Sequence, residues 1–224
     1  MIEFIYNIFK IKANIFLFIL CFEGKSMKKL LIATGNKHKV VEIKEKIIGL
    51  DIEILTLNDF PPCEEPIEDA PDFEGNAKIK ALYYAKKFGV CTLADDSGLV
   101  VDALDGRPGI HSARYAPTND ERISKLLNEM QNVPQSDRSA KFVCVMVLAN
   151  PNENCLTKVG ECKGKITNEA KGTNGFGYDP VFQPEGRDDT LAEISLEEKN
   201  KISHRGNALL KIIEALKKEE FKLI

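Results

Sequence analysis

Residues 93–99 of this chain, Leu-Ala-Asp-Asp-Ser-Gly-Leu, place two carboxylates and a hydroxyl directly after an apolar run. We interpret the run from Val90 to Ala94 as a buried strand, and strand ends in α/β sheets open into the crevice where ligands bind. Neighbouring residues of a strand face opposite sides, so one of Asp95 and Asp96 should face the crevice while the other supports it from behind. Such carboxylates could hold a hard cation or act as a general base. Taken alone, however, Asp-Asp-Ser-Gly is more often an acidic turn.

A second polar stretch, Thr34-Gly35-Asn36-Lys37-His38-Lys39, lies between a short apolar run and a helical pattern. It presents backbone N–H groups, a hydroxyl, an amide and two lysines at a helix N-terminus, which is a favourable place for an anion. It does not match the phosphate-binding pattern G-x-x-x-x-G-K-[ST]. The alternative of equal weight is a simple capped helix with solvated lysines.

Lys80 and Glu68 are candidates for charged contacts with a ligand. Lys80 follows Asn76 by about one turn of a predicted helix and shares a face with Ala77 and Ala81, which suggests an anionic partner. Glu68 lies in the acidic, proline-rich loop before this helix. Each residue also has an interpretation without a ligand. Lys80 could be a surface lysine whose stem covers apolar surface, and Glu68 could be a carboxylate that only makes a loop soluble.

Two stretches near the carboxyl end are suited to recognising a base. Residues 172–179, Gly-Thr-Asn-Gly-Phe-Gly-Tyr-Asp, let the backbone approach a flat ligand, on which Phe176 could stack. The alternative is a tight turn with Phe176 in the core. Lys199, Ser203, His204 and Arg205 gather three donors and a helix cap that suit a carbonyl or phosphate, although a histidine and arginine at a helix start are more often structural.

The elements that must position these groups form an α/β pattern. Strand-like runs at 30–33, 52–57 and 90–94 alternate with helical patterns at 40–50 and 73–88, the second preceded by Asp72 as N-cap. Antiparallel strands are then predicted at 140–149 and 156–166. Further helices are predicted from Thr118 to Met130 behind a capping box, after Thr190 behind a second box, and from 204 to 221 behind Ser203. This order predicts an α/β protein with a mixed sheet.

Length and composition narrow the class of protein. The 224 residues make one large domain or two small lobes, and 43% hydrophobic with 29% charged residues is ordinary for a globular protein. A net charge of −3 argues against a surface that coats DNA or RNA. None of the six cysteines forms a C-x-x-C pair, so we expect reduced, mostly buried thiols in a cytosolic protein.

The first 26 residues differ from the remainder. The apolar run from Ile15 to Phe22 is too short for a membrane span, and Glu3 before it, with no A-x-A site after it, argues against a signal peptide. Met27 opens a natural first strand. We therefore expect residues 1–26 to be a non-native or disordered extension and residues 27–224 to form the functional domain.

Taken together, these stretches resemble the non-canonical purine nucleoside triphosphate pyrophosphatases, the inosine/xanthosine triphosphatases. The resemblance spans residues 28 to about 220. The matching stretches, in family order, are Ala33-Thr34-Gly35-Asn36-x-x-Lys39, Phe73-x-x-Asn76-Ala77-x-x-Lys80-Ala81, Ala94-Asp95-Asp96-Ser97-Gly98-Leu99, Pro108-Gly109-Ile110-x-Ser112-Ala113-Arg114-Tyr115, Gly175-Phe176-Gly177-Tyr178-Asp179-Pro180 and Ser203-His204-Arg205-Gly206.

The resemblance implies hydrolysis of inosine, deoxyinosine or xanthosine triphosphate to the monophosphate and pyrophosphate. It also implies a two-lobed fold with the cleft between the lobes, dependence on Mg²⁺, and a homodimer, with no nucleic acid or membrane as partner. Asp96 would orient or deprotonate the attacking water, and Glu68 and Asp96 would hold the metal. The other expected substrate-binding residues are Thr34, Gly35, Asn36, Lys37, His38, Lys39, Lys80, Ser97, Phe176, Gly177, Tyr178, Asp179, Lys199, His204 and Arg205. Two alternatives stay open: a pyrophosphatase for other bases, and a nucleotide-binding module without turnover.

Overall fold

The computed structural model describes residues 27–47 and 49–224, which form a six-stranded sheet flanked by helices. The strands are β1 (Lys28–Ile32), β2 (Ile52–Thr56), β3 (Thr92–Val101), β4 (Ser139–Ala149), β5 (Cys155–Ile166) and β6 (Phe182–Pro184). The α-helices of this part of the chain are α1 (Lys37–Ile47), α2 (Phe73–Phe88), α3 (Asn119–Glu129), α4 (Leu196–Ile202) and α5 (His204–Lys217). The predicted extension, residues 1–26, lies outside the described residues. None of the described helices has the length and apolarity needed to cross a membrane.

The sheet changes from parallel to antiparallel at its centre. Its order is β2-β1-β3-β4-β5-β6. β1 pairs in parallel with β2 and β3, whereas β3–β4, β4–β5 and β5–β6 are antiparallel. The crossovers through α1 and α2 produce the parallel part, and the antiparallel part begins where β4 pairs with β3 and continues through the β4–β5 hairpin. The predicted mixed α/β architecture is therefore confirmed.

The central strand is longer than the sequence indicated. We expected a strand at 90–94 and extended chain again from Leu99 to Val101, but β3 runs without a break from Thr92 to Val101 because each of its residues pairs with β4. Asp95 stands opposite Met146 and Asp96 opposite Val145. The two carboxylates therefore lie in the middle of a strand, on opposite faces of the sheet, and not in a turn.

Most helix starts are where the sequence predicted them. Asp72, Thr118 and Ser203 each accept a hydrogen bond from a backbone N–H in the first turn of α2, α3 and α5. The helix predicted after Thr190 is wrong. The Thr190 hydroxyl donates to the carbonyl of Lys171 and does not cap a helix, and α4 begins later behind Ser195.

The described cysteines are free thiols, as expected. Cys91, Cys144 and Cys162 are buried, and Cys63 and Cys155 are half-buried. Burial raises the pKa of Cys162 to about 11, so this thiol stays protonated at neutral pH.

The long strands β3–β5 join two lobes. Near one end of these strands, apolar clusters cover both faces of the sheet, one against α5 and one against α2. Near the other end, a third cluster packs β3–β5 against α3 and the residues after β6. The segment Asp95–Gly98 lies between the clusters. The two-lobed prediction therefore holds, and the predicted chemistry lies at the junction of the lobes.

Gly160 allows α5 to pack directly on β5. A Cβ at this position would collide with the carbonyl oxygen of His204 and with backbone atoms of Ala208. We expect Gly160→Ala to lower the free energy of unfolding by about 1–3 kcal/mol because the helix backbone must shift. Denaturant unfolding measures this loss, with Gly35→Ala as control because a Cβ there meets no atom within 4 Å. Equal stability of the two variants would contradict the close packing.

Candidate functional site

A cavity of about 670 Å³ opens between the two lobes. It brings together residues that are far apart in the chain. The predicted site residues that line it are Asn36, His38, Lys39, Glu68, Lys80, Asp96, Ser97, Phe176, Gly177, Tyr178, Asp179, Lys199, His204 and Arg205. A second cavity, of about 690 Å³ and near β6, contains none of the predicted residues. We call the first cavity the cleft.

Asp95 supports the cleft from behind. Its carboxylate accepts from Lys39 Nζ at 2.8 Å and from Ser97 Oγ at 3.0 Å, and Arg205 Nε lies 3.6 Å away. Burial alone would raise the pKa of Asp95, but the charges of Lys39 and Arg205 hold it well below its usual value. The ionised group therefore stabilises the fold above the unfolded-state pKa of about 3.9, and this stabilisation is lost as the pH falls towards the lower folded-state pKa.

Glu42 extends this ion pairing into a buried network. Its Oε2 accepts from Arg205 Nη1 at 2.5 Å, and its Oε1 lies 3.3 Å from Lys199 Nζ. Lys199 also donates to Asp179 Oδ2 at 2.8 Å. The charges alternate along Lys39, Asp95, Arg205, Glu42, Lys199 and Asp179, so each charged group has an opposite neighbour. Pairing of this kind offsets part of the cost of burying the charges.

Asp96 faces the other wall of the cleft, formed by α2. Its Oδ2 accepts from Asn76 Nδ2 at 3.1 Å, and its Oδ1 accepts from the backbone N–H of Ser97 at 2.9 Å. Burial raises the pKa of Asp96, against the hydrogen bond from Asn76 and the charge of Lys80. Asp95 and Asp96 thus have their pKa values shifted in opposite directions, an arrangement that separates a permanently charged carboxylate from one able to take a proton.

Glu68 and Lys80 lie beside Asp96. Lys80 Nζ is 3.0 Å from Glu68 Oε1 and donates to the carbonyl oxygen of Asp95 at 3.1 Å. Glu68 and Asp96 both line the cleft, and the negative charge of Glu68 adds to the raised pKa of Asp96. Among residues 27–47 and 49–224, no group of three or more His, Cys, Asp or Glu side chains could hold a metal ion by itself. Two carboxylates that line one cleft fit a Mg²⁺ ion, which typically takes one or two protein carboxylates and fills its other positions with water and phosphate oxygens.

Phe176 projects from a glycine-rich loop and is not part of the core. Its backbone N–H donates to Asp179 Oδ2 at 2.8 Å. Gly175 has a φ of +74°, and a Cβ there would collide with the same carboxylate, so this position needs glycine. The loop thereby holds the aromatic ring at the cleft, with the buried Lys199 Nζ 4.5 Å from the ring centroid.

His204 forms part of the cleft wall and stacks on Phe142, with centroids 4.7 Å apart and planes at 12°. Burial and the charges of Arg205 and Lys199 lower the pKa of His204 well below its usual value, so the imidazole is neutral. Its buried Nδ1 has no hydrogen-bond partner in the described part of the chain. Buried polar atoms are rarely left unpaired, so this nitrogen is available for a hydrogen bond to a bound ligand or water.

Arg205 differs from the sequence expectation of a donor free to contact a base. Its Nη1 donates to Glu42 and its Nη2 donates to Ser97 Oγ at 3.1 Å. The Arg205 guanidinium is therefore part of the buried network. His204, whose Nδ1 has no partner among the described residues, is the better candidate to donate to a ligand.

Three predicted site residues, Thr34, Gly35 and Lys37, do not line the cleft. The Thr34 hydroxyl accepts from the backbone N–H of Asn36, and Asn36 Oδ1 accepts from the N–H groups of His38 and Lys39. The N–H groups of Asn36, His38 and Lys39 are thus already hydrogen-bonded within this turn. Asn36, His38 and Lys39 are the residues of this turn that line the cleft.

Sequence reasoning missed several residues of the cleft and its support. Glu42 was passed over because an acidic residue on a helix is usually exposed, although its neighbours Ile43 and Ile47 are core residues. Asn76 had been noted only for its position on α2. The remaining missed residues that line the cleft include Ser112, Arg114, Asn119 and Arg122. Of these, Ser112 and Arg114 lie in a stretch that carried the family resemblance.

Comparisons with known proteins cover the whole cleft. The Ham1 family matches residues 30–215. The dITP/XTP pyrophosphatase of Oceanobacillus iheyensis is 49% identical over 187 residues, which are 82% of this chain and 95% of the relative. That of Halalkalibacterium halodurans is 46% identical over 186 residues, 82% of this chain and 96% of the relative. The structure of a HAM1 protein from Coxiella burnetii, 41% identical, has a TM-score of 0.79 and covers 86% of this chain and 100% of that protein.

Proposed function

Because the chain belongs to the Ham1 family, we propose that it hydrolyses non-canonical purine nucleoside triphosphates to the monophosphate and pyrophosphate. The expected substrates are ITP, dITP and XTP. The observation that carries the proposal is the single cleft that joins Asp96, the lysines Lys39 and Lys80, and Phe176. These groups supply a proton acceptor, positive charge for a polyphosphate and a platform for a base.

In the proposed mechanism, Asp96 accepts a proton from the water that attacks the α-phosphorus, and pyrophosphate leaves. Burial raises the pKa of Asp96, which makes this carboxylate a stronger proton acceptor than a solvated one. Lys39 and Lys80 stabilise the negative charge on the phosphoryl oxygens in the transition state. Asp96 and Glu68 would hold Mg²⁺, which neutralises phosphate charge when bound.

The base would be selected by hydrogen bonding at its edge. Hypoxanthine and xanthine carry a keto oxygen at position 6, which accepts a hydrogen bond, whereas adenine carries an amino group there. A neutral His204 that donates one ring N–H would pair with the keto group and leave the amino group of adenine unmatched. A site built for such a bond discriminates by roughly 10⁴-fold or more.

A panel of nucleotides tests the proposed function. We expect pyrophosphate release from ITP, dITP and XTP in the presence of Mg²⁺, with far lower kcat/KM for ATP, and loss of activity with a chelator. Binding of ITP without release of pyrophosphate would instead support a nucleotide-binding module. Preference for a pyrimidine or another modified base would support the other alternative.

We further propose that the protein acts as a cytoplasmic homodimer. This proposal rests on the family resemblance and on the sequence composition. Analytical ultracentrifugation of the full chain measures the oligomeric state, and a monomer across the micromolar range would contradict the proposal.

Phe176→Ala should weaken nucleotide binding without unfolding the protein. The ring is only half-buried, and stacking on a base contributes about 1–3 kcal/mol. Calorimetric titration with inosine monophosphate measures the loss. Phe60→Ala is the control, because Phe60 stacks on Phe88 at the surface away from the cleft. Unchanged affinity in Phe176→Ala would mean that the ring only shapes the loop.

A further inference from the structure

The platform proposed for the base already carries an aromatic side chain of the protein. The imidazole of His38 stacks on Phe176, with ring centroids 5.3 Å apart and planes inclined by 23°. His38 belongs to the first turn of α1, and Phe176 to the glycine-rich loop, so the contact joins two separate segments at the cleft. The distance and angle fall within the range of favourable aromatic pairs.

Of the three groups around this ring, His38 is the one whose side chain is held by no ion pair or hydrogen bond to a described residue. Lys199 Nζ and Arg205 Cζ lie 4.5 Å and 5.6 Å from the ring centroid. Both side chains are buried and bound to Glu42, so moving either would leave a buried charge unpaired. His38 is exposed, and its imidazole makes no hydrogen bond with any described residue. Its backbone N–H donates to Asn36 Oδ1, so the position of the helix start does not depend on where the imidazole lies.

We propose that His38 takes the place of the purine on Phe176 in the free protein, and that an incoming purine displaces it. A purine and an imidazole are both flat rings, and they cannot occupy the same part of one aromatic face. The displacement lowers nucleotide affinity because the stacked pair must separate before the base binds. His38 thereby keeps the aromatic surface covered and sets the affinity for the base. This inference rests on the proposed function, because it takes a purine nucleotide as the ligand.

The histidine signals in NMR spectra test the displacement directly. The chain has three histidines, so His38→Ala identifies the His38 ring protons by the signals that disappear. We expect these protons to be shifted by the ring current of Phe176 in the free protein and to lose that shift on saturation with inosine monophosphate. Phe176→Ala should produce the same loss without a ligand. A His38 shift that persists in the saturated protein would overturn the proposal.

Affinity gives an independent second measurement. We expect His38→Ala to bind inosine monophosphate about 2- to 10-fold more tightly, the range that follows from the stabilisation of a stacked aromatic pair. His111→Ala is the matched control because His111 is exposed and does not line the cleft. Unchanged affinity in His38→Ala would show that the stack has no influence on binding. Weaker affinity would show that the imidazole packs on the bound purine, and both results contradict displacement.

The displacement of His38 and the proposed function can be contradicted separately. If the unmodified protein releases pyrophosphate from ITP but His38→Ala behaves like His111→Ala, only the displacement is wrong. If the unmodified protein neither binds inosine monophosphate nor hydrolyses ITP, the proposed function is wrong, and the role proposed for His38 is then wrong as well.

Discussion

Replacing Asp96 by Asn should abolish nearly all pyrophosphate release and leave the fold intact. Asn keeps the size of the side chain and an oxygen able to accept from Asn76 or from the backbone N–H of Ser97, which both donate to Asp96 in the native protein. It cannot accept a proton from water. General bases contribute typically about 10²–10⁴-fold to a rate, and Asn also removes a charge proposed to hold Mg²⁺, so we expect kcat to fall by about 10³-fold or more.

The pH profile and a matched variant separate this effect from a general loss of charge. Burial raises the pKa of Asp96 in the metal-free protein and a bound Mg²⁺ would lower it, so kcat/KM should fall as the pH decreases through the pKa that results. Asp102→Asn makes the same change at an exposed residue outside the cleft and should retain the native rate and profile. Substantial turnover by folded Asp96→Asn, or an acid limb unchanged from the native protein, would remove Asp96 from its proposed role.

The sequence could predict the parts of this fold that depend on local patterns. The helix caps at Asp72, Thr118 and Ser203 follow from side chains that accept from the first-turn N–H groups. The end of β3 could not be predicted from the local sequence, because the strand continues through polar residues only where β4 supplies hydrogen-bond partners. The partner strand lies about fifty residues further along the chain, and no pattern within residues 92–101 indicates it. The prediction of a helix after Thr190 was wrong for a similar reason, because the Thr190 hydroxyl donates to a distant carbonyl.

In the candidate site, too, the sequence predicted some features and not others. The types of residues at Asp96, Lys80 and Phe176 indicated their chemistry, and the structure places all three at one cleft. The partners of these residues were not predictable, because a partner depends on which side chains the fold brings into contact. The turn at 34–39 illustrates this: its amides suited an anion, but Asn36 already accepts from two of them. The stacking of His38 on Phe176 likewise joins segments almost 140 positions apart and has no local signature.

Glu42→Gln should cause a large loss of stability, because Glu42 is the link between Arg205 and Lys199. The side chains of all three are no more than 5% exposed. Removing one partner from a buried ion pair leaves an uncompensated charge and typically costs about 3–5 kcal/mol. Glutamine retains one oxygen acceptor, so we expect the lower part of this range. Denaturant unfolding of the full chain measures the change.

A surface ion pair provides the control for that measurement. Glu53 and Lys29 lie 3.5 Å apart with 38% and 52% of their side chains exposed, and such pairs contribute about 0–1 kcal/mol. Glu53→Gln should therefore leave stability and nucleotide affinity close to native values. Glu42→Gln should also weaken binding of inosine monophosphate, because Lys199 and Arg205 would lose their fixed positions beside Phe176. If Glu42→Gln instead matched Glu53→Gln in both measurements, the buried network would not be what holds these two cations in place.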